Sequence, residues 1–123
     1  MKKFVRFFAL MLVISIVAGS AATVSAQSKK DRERARKIAV QGDALFNQKD
    51  YRGAIGKYAE AIVVFPGFAA AHFWKATAHF YLKEYDQALT DYDAAVAKGF
   101  DKPLEIYRLR WLIYFDKRDF DAA

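Results

Sequence analysis

Cysteine is absent from the 123 residues, which excludes disulfides, a thiol nucleophile, thiolate metal sites and cysteine lipidation. Histidine occurs only as His72 and His79, and after residue 26 the only serine is Ser28, in a polar arm. No Ser-His-acid set can be assembled from such a supply. His72 and His79 are seven residues apart, roughly 10.5 Å along a helix, too far to share one metal ion, and packing between helices is the expected role. Asp91 and Asp93 are two apart and do not face each other on a helix; with Asp86 they are expected to form a solvated face. Gly53 and Gly56 lie within a predicted helix and lack the Lys-Ser/Thr that would make a phosphate loop. No catalytic residue, cofactor or metal is therefore expected.

Long hydrophobic runs are also missing. The longest, Phe7 to Gly19, has 13 residues, short of the roughly 20 needed to span a bilayer. It follows the basic stretch MKKFVR and precedes SAATVSA, with Val24 and Ala26 at the −3 and −1 positions before Gln27. This is the layout of a secretory signal peptide, 1–26, cleaved after Ala26. The expected location is periplasmic or secreted, with an inner-membrane anchor as the alternative if the leader is retained.

The formal net charge is +6. Cleavage removes Lys2, Lys3 and Arg6, three of the 20 basic residues, and none of the 14 acidic ones, leaving +3. Residues Lys29 to Lys37 (KKDRERARK) hold six basic and two acidic residues, so the remainder is close to neutral. The positive charge is a leading arm, 27–34, running into the first helix. It has no interleaved aromatics, and no nucleic-acid partner is expected.

What the chain does have is repetition. Tyr51 and Tyr85, Ala54 and Ala88, Tyr58 and Tyr92, and Ala61 and Ala95 are all 34 residues apart. Such an offset marks a repeat architecture. Tyr51, Ala54, Ile55, Tyr58, Ala61, Ile62 and Phe65 recur at steps of three and four, as does Tyr85 to Val96, predicting two amphipathic helices. Ala35 to Gln48 and Ala69 to Leu82 are helix-length segments before them. Asn47 to Asp50 and Lys83-Glu84 punctuate the pairs, and Pro66-Gly67 and Lys98-Gly99 end them, the glycines suiting a left-handed exit. Pro103 suits the first turn of another helix.

Each unit resembles the tetratricopeptide repeat. The residues that carry the resemblance are Ile38, Gln41, Gly42, Leu45, Ala54, Tyr58, Ala61 and Pro66 in the first unit. In the second they are His72, Lys75, Ala76, His79, Ala88, Tyr92, Ala95 and Phe100. The match is closer on the second helices. The resemblance implies an all-α superhelix (an α-solenoid) of about two and a half repeats: 35–68, 69–102 and a partial third, 103–123. Gly42, Ala54, Ala61, Ala76, Ala88 and Ala95 are the small residues that let helices approach, with Tyr58 and Tyr92 filling the gaps and Pro66 ending the unit.

The third unit fits less regularly. Phe120 follows Tyr85 by 35 residues, as if one residue were inserted. An insertion in Lys98–Pro103 aligns Trp111 with Gly42 and Ala76, and starts a truncated second helix that reaches Ala123. An insertion in the turn instead puts Ile106, Leu109 and Ile113 on the packed face. Leu104 to Lys117 is apolar on nearly all sides and calls for cover on two faces. Either the sequence is part of a longer repeat protein, or another subunit covers it in a homo-oligomer.

In the family, ligands usually lie on the concave face lined by first helices. The resemblance carries that role to Asp43, Asn47, Phe73, Trp74, Thr77, Phe80, Tyr81 and Arg108. It also implies that Ala39 with Asp43, and Phe73 with Thr77, stand where carboxylate-clamp members carry Lys and Asn. No recognition of an acidic chaperone tail is therefore expected. The expected function is a non-catalytic adaptor or scaffold that binds a protein or peptide in an aromatic groove, without stable membrane insertion. The alternative is a docking or self-assembly module of a larger envelope protein or enzyme.

Overall fold

The computed structural model describes residues 28–121. The predicted leader, 1–26, lies outside them. The chain divides into two units, 1–31 and 32–123; of the first, only 28–31 are described, and they are helical. Helix α1 runs 28–47, so the charged arm is helix over its described length. The others are α2 (Tyr51–Val64), α3 (Ala69–Tyr81), α4 (Tyr85–Ala97) and α5 (Pro103–Asp121). Among the described residues there is no strand.

The turns explain how short the hairpins are. Lys49 (φ 62°) ends α1, Lys83 (φ 59°) ends α3 and Gly99 (φ 82°) ends α4. At each, a pair of amides closes back on the helix. Lys49 N–H donates to Phe46 O and Asp50 N–H to Leu45 O, both 2.9 Å. Lys83 to Phe80 O with Glu84 to His79 O, and Gly99 to Val96 O with Phe100 to Ala95 O, repeat the arrangement at 3.0 Å. These are Schellman caps, which satisfy the terminal carbonyls. Asp50 then caps α2 by accepting from Gly53 N–H at 3.0 Å. Gly67 is not in the left-handed region. Instead, α2 ends as Phe65 turns extended (φ −137°, ψ 90°), and Pro66-Gly67 forms an ordinary turn.

Two clusters make the core. Ala35, Ala39, Ala54, Tyr58, Ala61 and Ala71 form the first. Phe73, Ala76, Ala88, Tyr92, Ala95, Ile106 and Ile113 form the second. The alanines allow close helix contact, and the two tyrosines fill what that leaves. A Cβ at Gly42 would sit 2.8 Å from Tyr58 Cε1, so the first repeat closes only because this position has no side chain. The same position in the second repeat is Ala76, fully buried.

Helix α5 corrects two expectations. Ile106 and Ile113 are fully buried with Leu109 packed beside them, whereas Trp111 is 63% exposed. The plain 34-residue offset therefore continues into α5, and Trp111 is not at the packed small position. The helix also runs unbroken to Asp121, so the described backbone shows no turn into a separate second helix. A left-handed lysine at a turn is unfavourable by itself; at Lys49 and Lys83 the following helix packs back and compensates. No described helix does so on α5.

Candidate binding face

Aromatic rings from α1, α2 and α3 meet on one face. Phe46 lies edge-on to Tyr51 at 5.2 Å, Trp74 at 5.5 Å and Tyr81 at 5.7 Å between centroids. Tyr51 and Tyr81 stack at 4.9 Å and 7°. The cluster joins the first repeat to the second while leaving Trp74 40% and Tyr81 54% exposed. Beside it a cavity of about 240 Å³ is lined by Asp43, Phe46, Asn47, Tyr58 and Trp74.

Four of the eight expected groove residues, Asp43, Asn47, Trp74 and Tyr81, thus fall in or beside one region. Phe73 does not. It is 4% exposed and stacks on Phe100 at 4.4 Å and 12°, because α4 exits through Gly99 and returns Phe100 over α3. Thr77 is buried too: its hydroxyl donates to Phe73 O at 2.9 Å and lies 3.1 Å from Tyr92 Oη. Phe80 is half-buried against the second cluster. Arg108 lies elsewhere, on α5, beside a second cavity of about 420 Å³ with Leu104, Tyr107, Trp111 and Leu112.

Tyr58 has a role beyond filling space. Its hydroxyl donates to Asp43 Oδ1 at 2.7 Å. Burial, then the hydrogen bond and charge of Asp43, push its phenol well above the usual range. It therefore remains a donor and fixes the carboxylate at the cavity. Tyr51 was legible as a helix residue but not as part of this face; its stacking depends on the left-handed turn at Lys49, which no periodicity reveals.

The polar residues form a second pattern. His79 Nδ1–H donates to Glu84 Oε1 at 3.1 Å, and Arg52 pairs with the same oxygen at 2.9 Å. Asp91 pairs with Lys75 at 3.2 Å. A cavity of about 430 Å³ adjoins Lys75, His79 and Asp91. Asp93 pairs with Arg110 and Asp86 with Lys117, each at 2.8 Å, and Tyr85 donates to Asp116. Asp91 departs from the expected solvated face, being buried within the second repeat; Asp86 and Asp93 are exposed as expected and also pair with α5. His79 is buried; His72 Nε2–H donates to Pro66 O at 3.1 Å. Among the described residues no group of three His, Asp or Glu is placed to hold a metal ion, and no helix is long and apolar enough to cross a membrane.

Arg52 and His79 hold the Glu84 carboxyl below its ordinary value of 4.5. A depressed acid contributes stability above its unfolded value and loses it as pH falls through the folded one. Accordingly, the melting-temperature difference between wild type and Glu84→Gln, present at neutral pH, should shrink as pH falls below 4.5. Thermal melts followed by circular dichroism at stepped pH check this.

The sequence model for the tetratricopeptide repeat matches residues 40–103, just over half of the chain. The chain belongs to the tetratricopeptide repeat family. Over 66 residues, 54% of this chain, it is 42% identical to the small glutamine-rich tetratricopeptide repeat-containing protein 2 of Saccharomyces cerevisiae. The match spans 19% of that protein's length, so the similarity concerns the repeats. Tetratricopeptide repeat proteins generally bind protein partners.

Proposed function

We propose that this tetratricopeptide repeat protein is a non-catalytic adaptor, exported to the periplasm or secreted after cleavage behind Ala26, that binds a peptide segment across α1 and α3. The observation that carries the reading is the exposed aromatic face of Trp74 and Tyr81, joined to Phe46 and bordered by the Asp43 cavity. Exposed aromatics anchored on a rigid scaffold suit peptide recognition. The test is a tagged pull-down from the envelope fraction comparing wild type with Trp74→Ala/Tyr81→Ala. A partner captured by wild type and lost by the folded variant supports the adaptor; equal capture by both sinks the groove. Export is tested by N-terminal sequencing, which should begin at Gln27.

A second reading rests on α5. Leu104, Tyr107, Trp111, Leu112, Tyr114 and Phe115 are all exposed, an apolar surface that favours docking or self-assembly. Sedimentation over a concentration series distinguishes it: a mass that rises with concentration and returns to monomer in Trp111→Glu supports self-assembly.

A further inference from the structure

We propose that the cavity between α1 and α3 receives one cationic side chain, lysine or arginine, of the bound peptide. This rests on the peptide-groove reading and specifies its chemistry. Among the described residues, Asp43 is the only charged one lining the cavity. Four carboxylates between helices are matched by cations, Asp91 by Lys75, Glu84 by Arg52, Asp93 by Arg110 and Asp86 by Lys117, while Asp116 accepts from the Tyr85 hydroxyl between α4 and α5. Asp43 is matched only by the neutral hydroxyl of Tyr58, and among the described residues it makes no ion pair. An exposed carboxylate oriented by a buried phenol is presented to a partner.

The surroundings fit that charge. Phe46 and Trp74 line the same cavity, and aromatic rings attract cations through their quadrupoles. Asn47 adds an amide oxygen that can accept from an ammonium or guanidinium group. At about 240 Å³ the space is below the roughly 300–1,000 Å³ typical of drug-sized ligand sites, so it suits one side chain. Arg36 stands two turns away on α1, roughly 10.5 Å along the axis, about a Debye length at physiological salt, and does not neutralise Asp43. An acidic side chain would meet Asp43 as a like charge.

The test is a titration of the purified, ¹⁵N-labelled protein with four blocked tripeptides, Ac-Ala-X-Ala-NH₂, where X is arginine, lysine, norleucine or glutamate. The indole N–H signal of Trp74, assigned with Trp111→Phe, is the readout. Arginine and lysine peptides should shift it saturably, and added salt should weaken them. Asp43→Asn keeps an oxygen for Tyr58 and should weaken binding about tenfold or more. Asn47→Lys, which places a competing cation at the rim, should abolish it and serves as a second variant if Asp43→Asn does not fold. Norleucine binding as tightly as arginine would overturn the cation subsite and leave an apolar groove standing. Unchanged affinity in the folded variants, or no response to arginine and lysine, overturns the proposal; the pull-down then decides the groove separately.

Discussion

Tyr92→Ala should lower the unfolding free energy by about 3–5 kcal/mol, the range for removing a buried aromatic ring. Tyr92 is fully buried, lies 5.8 Å from the Phe73 ring and packs among Ala76, Ala88 and Ala95. Alanines cannot move in to fill the hole, because their backbones already set the helix spacing. A domain of this size is expected to have roughly 5–14 kcal/mol in all, so the loss is a large fraction. Tyr92→Phe is the control. It removes one hydrogen-bonding partner from Thr77, which still donates to Phe73 O, and should cost about 1 kcal/mol. Urea denaturation of the three proteins measures both. A loss below about 1 kcal/mol for Tyr92→Ala would mean that the repeat core can collapse around the gap.

The second large effect concerns Gly42. Gly42→Leu should destabilise by about 3 kcal/mol or more, at the upper end of overpacking. Even the first atom of a side chain would sit 2.8 Å from the Tyr58 ring. That ring cannot swing aside without breaking its bond to Asp43 or entering the alanine cluster. The contrasting substitution is Gly56→Ala, where nothing beyond the adjoining residues and the helix's own backbone lies within 4 Å of the new methyl group. It should stabilise by about 0.5–1 kcal/mol through helix propensity alone. Two glycines, both on helices, thus give opposite signs. If both substitutions shifted the denaturation midpoint in the same direction, the close approach of α1 and α2 would not be what Gly42 serves.

The second helices were the easiest part of the fold to read. Ala54, Tyr58 and Ala61 recur as Ala88, Tyr92 and Ala95 because a close helix pair admits only small residues around one ring, and that constraint leaves a fixed spacing. The first helices were harder. Phe73 and Trp74 are neighbours, both aromatic, and about 100° apart around the helix. Periodicity does not say which one is buried. Phe100 decides it by stacking on Phe73, and Phe100 occupies the position where the first repeat has Pro66. The register of α5 had two readings, and burial of Ile106 and Ile113 selects the one without an insertion before Pro103. The pairing of Tyr58 with Asp43 spans two helices and fifteen residues, so it left no local trace. Lysines in left-handed turns carried no signal either, since glycine is the residue that normally marks them.

The uneven attachment of α5 has a mechanical consequence. Helices α3 and α4 pack along their lengths, whereas α5 meets α4 much more thinly. Its described hold includes two buried isoleucines with Leu109 beside them, the contacts of Arg110 and Lys117 with α4 carboxylates, and the Tyr85–Asp116 hydrogen bond. Exposed ion pairs weaken as ionic strength rises, while the alanine-tyrosine cores do not depend on them. Helix α5 is therefore expected to open before α3 and α4: deuterium uptake should reach its amides well before theirs, and salt should widen that gap rather than unfold the whole.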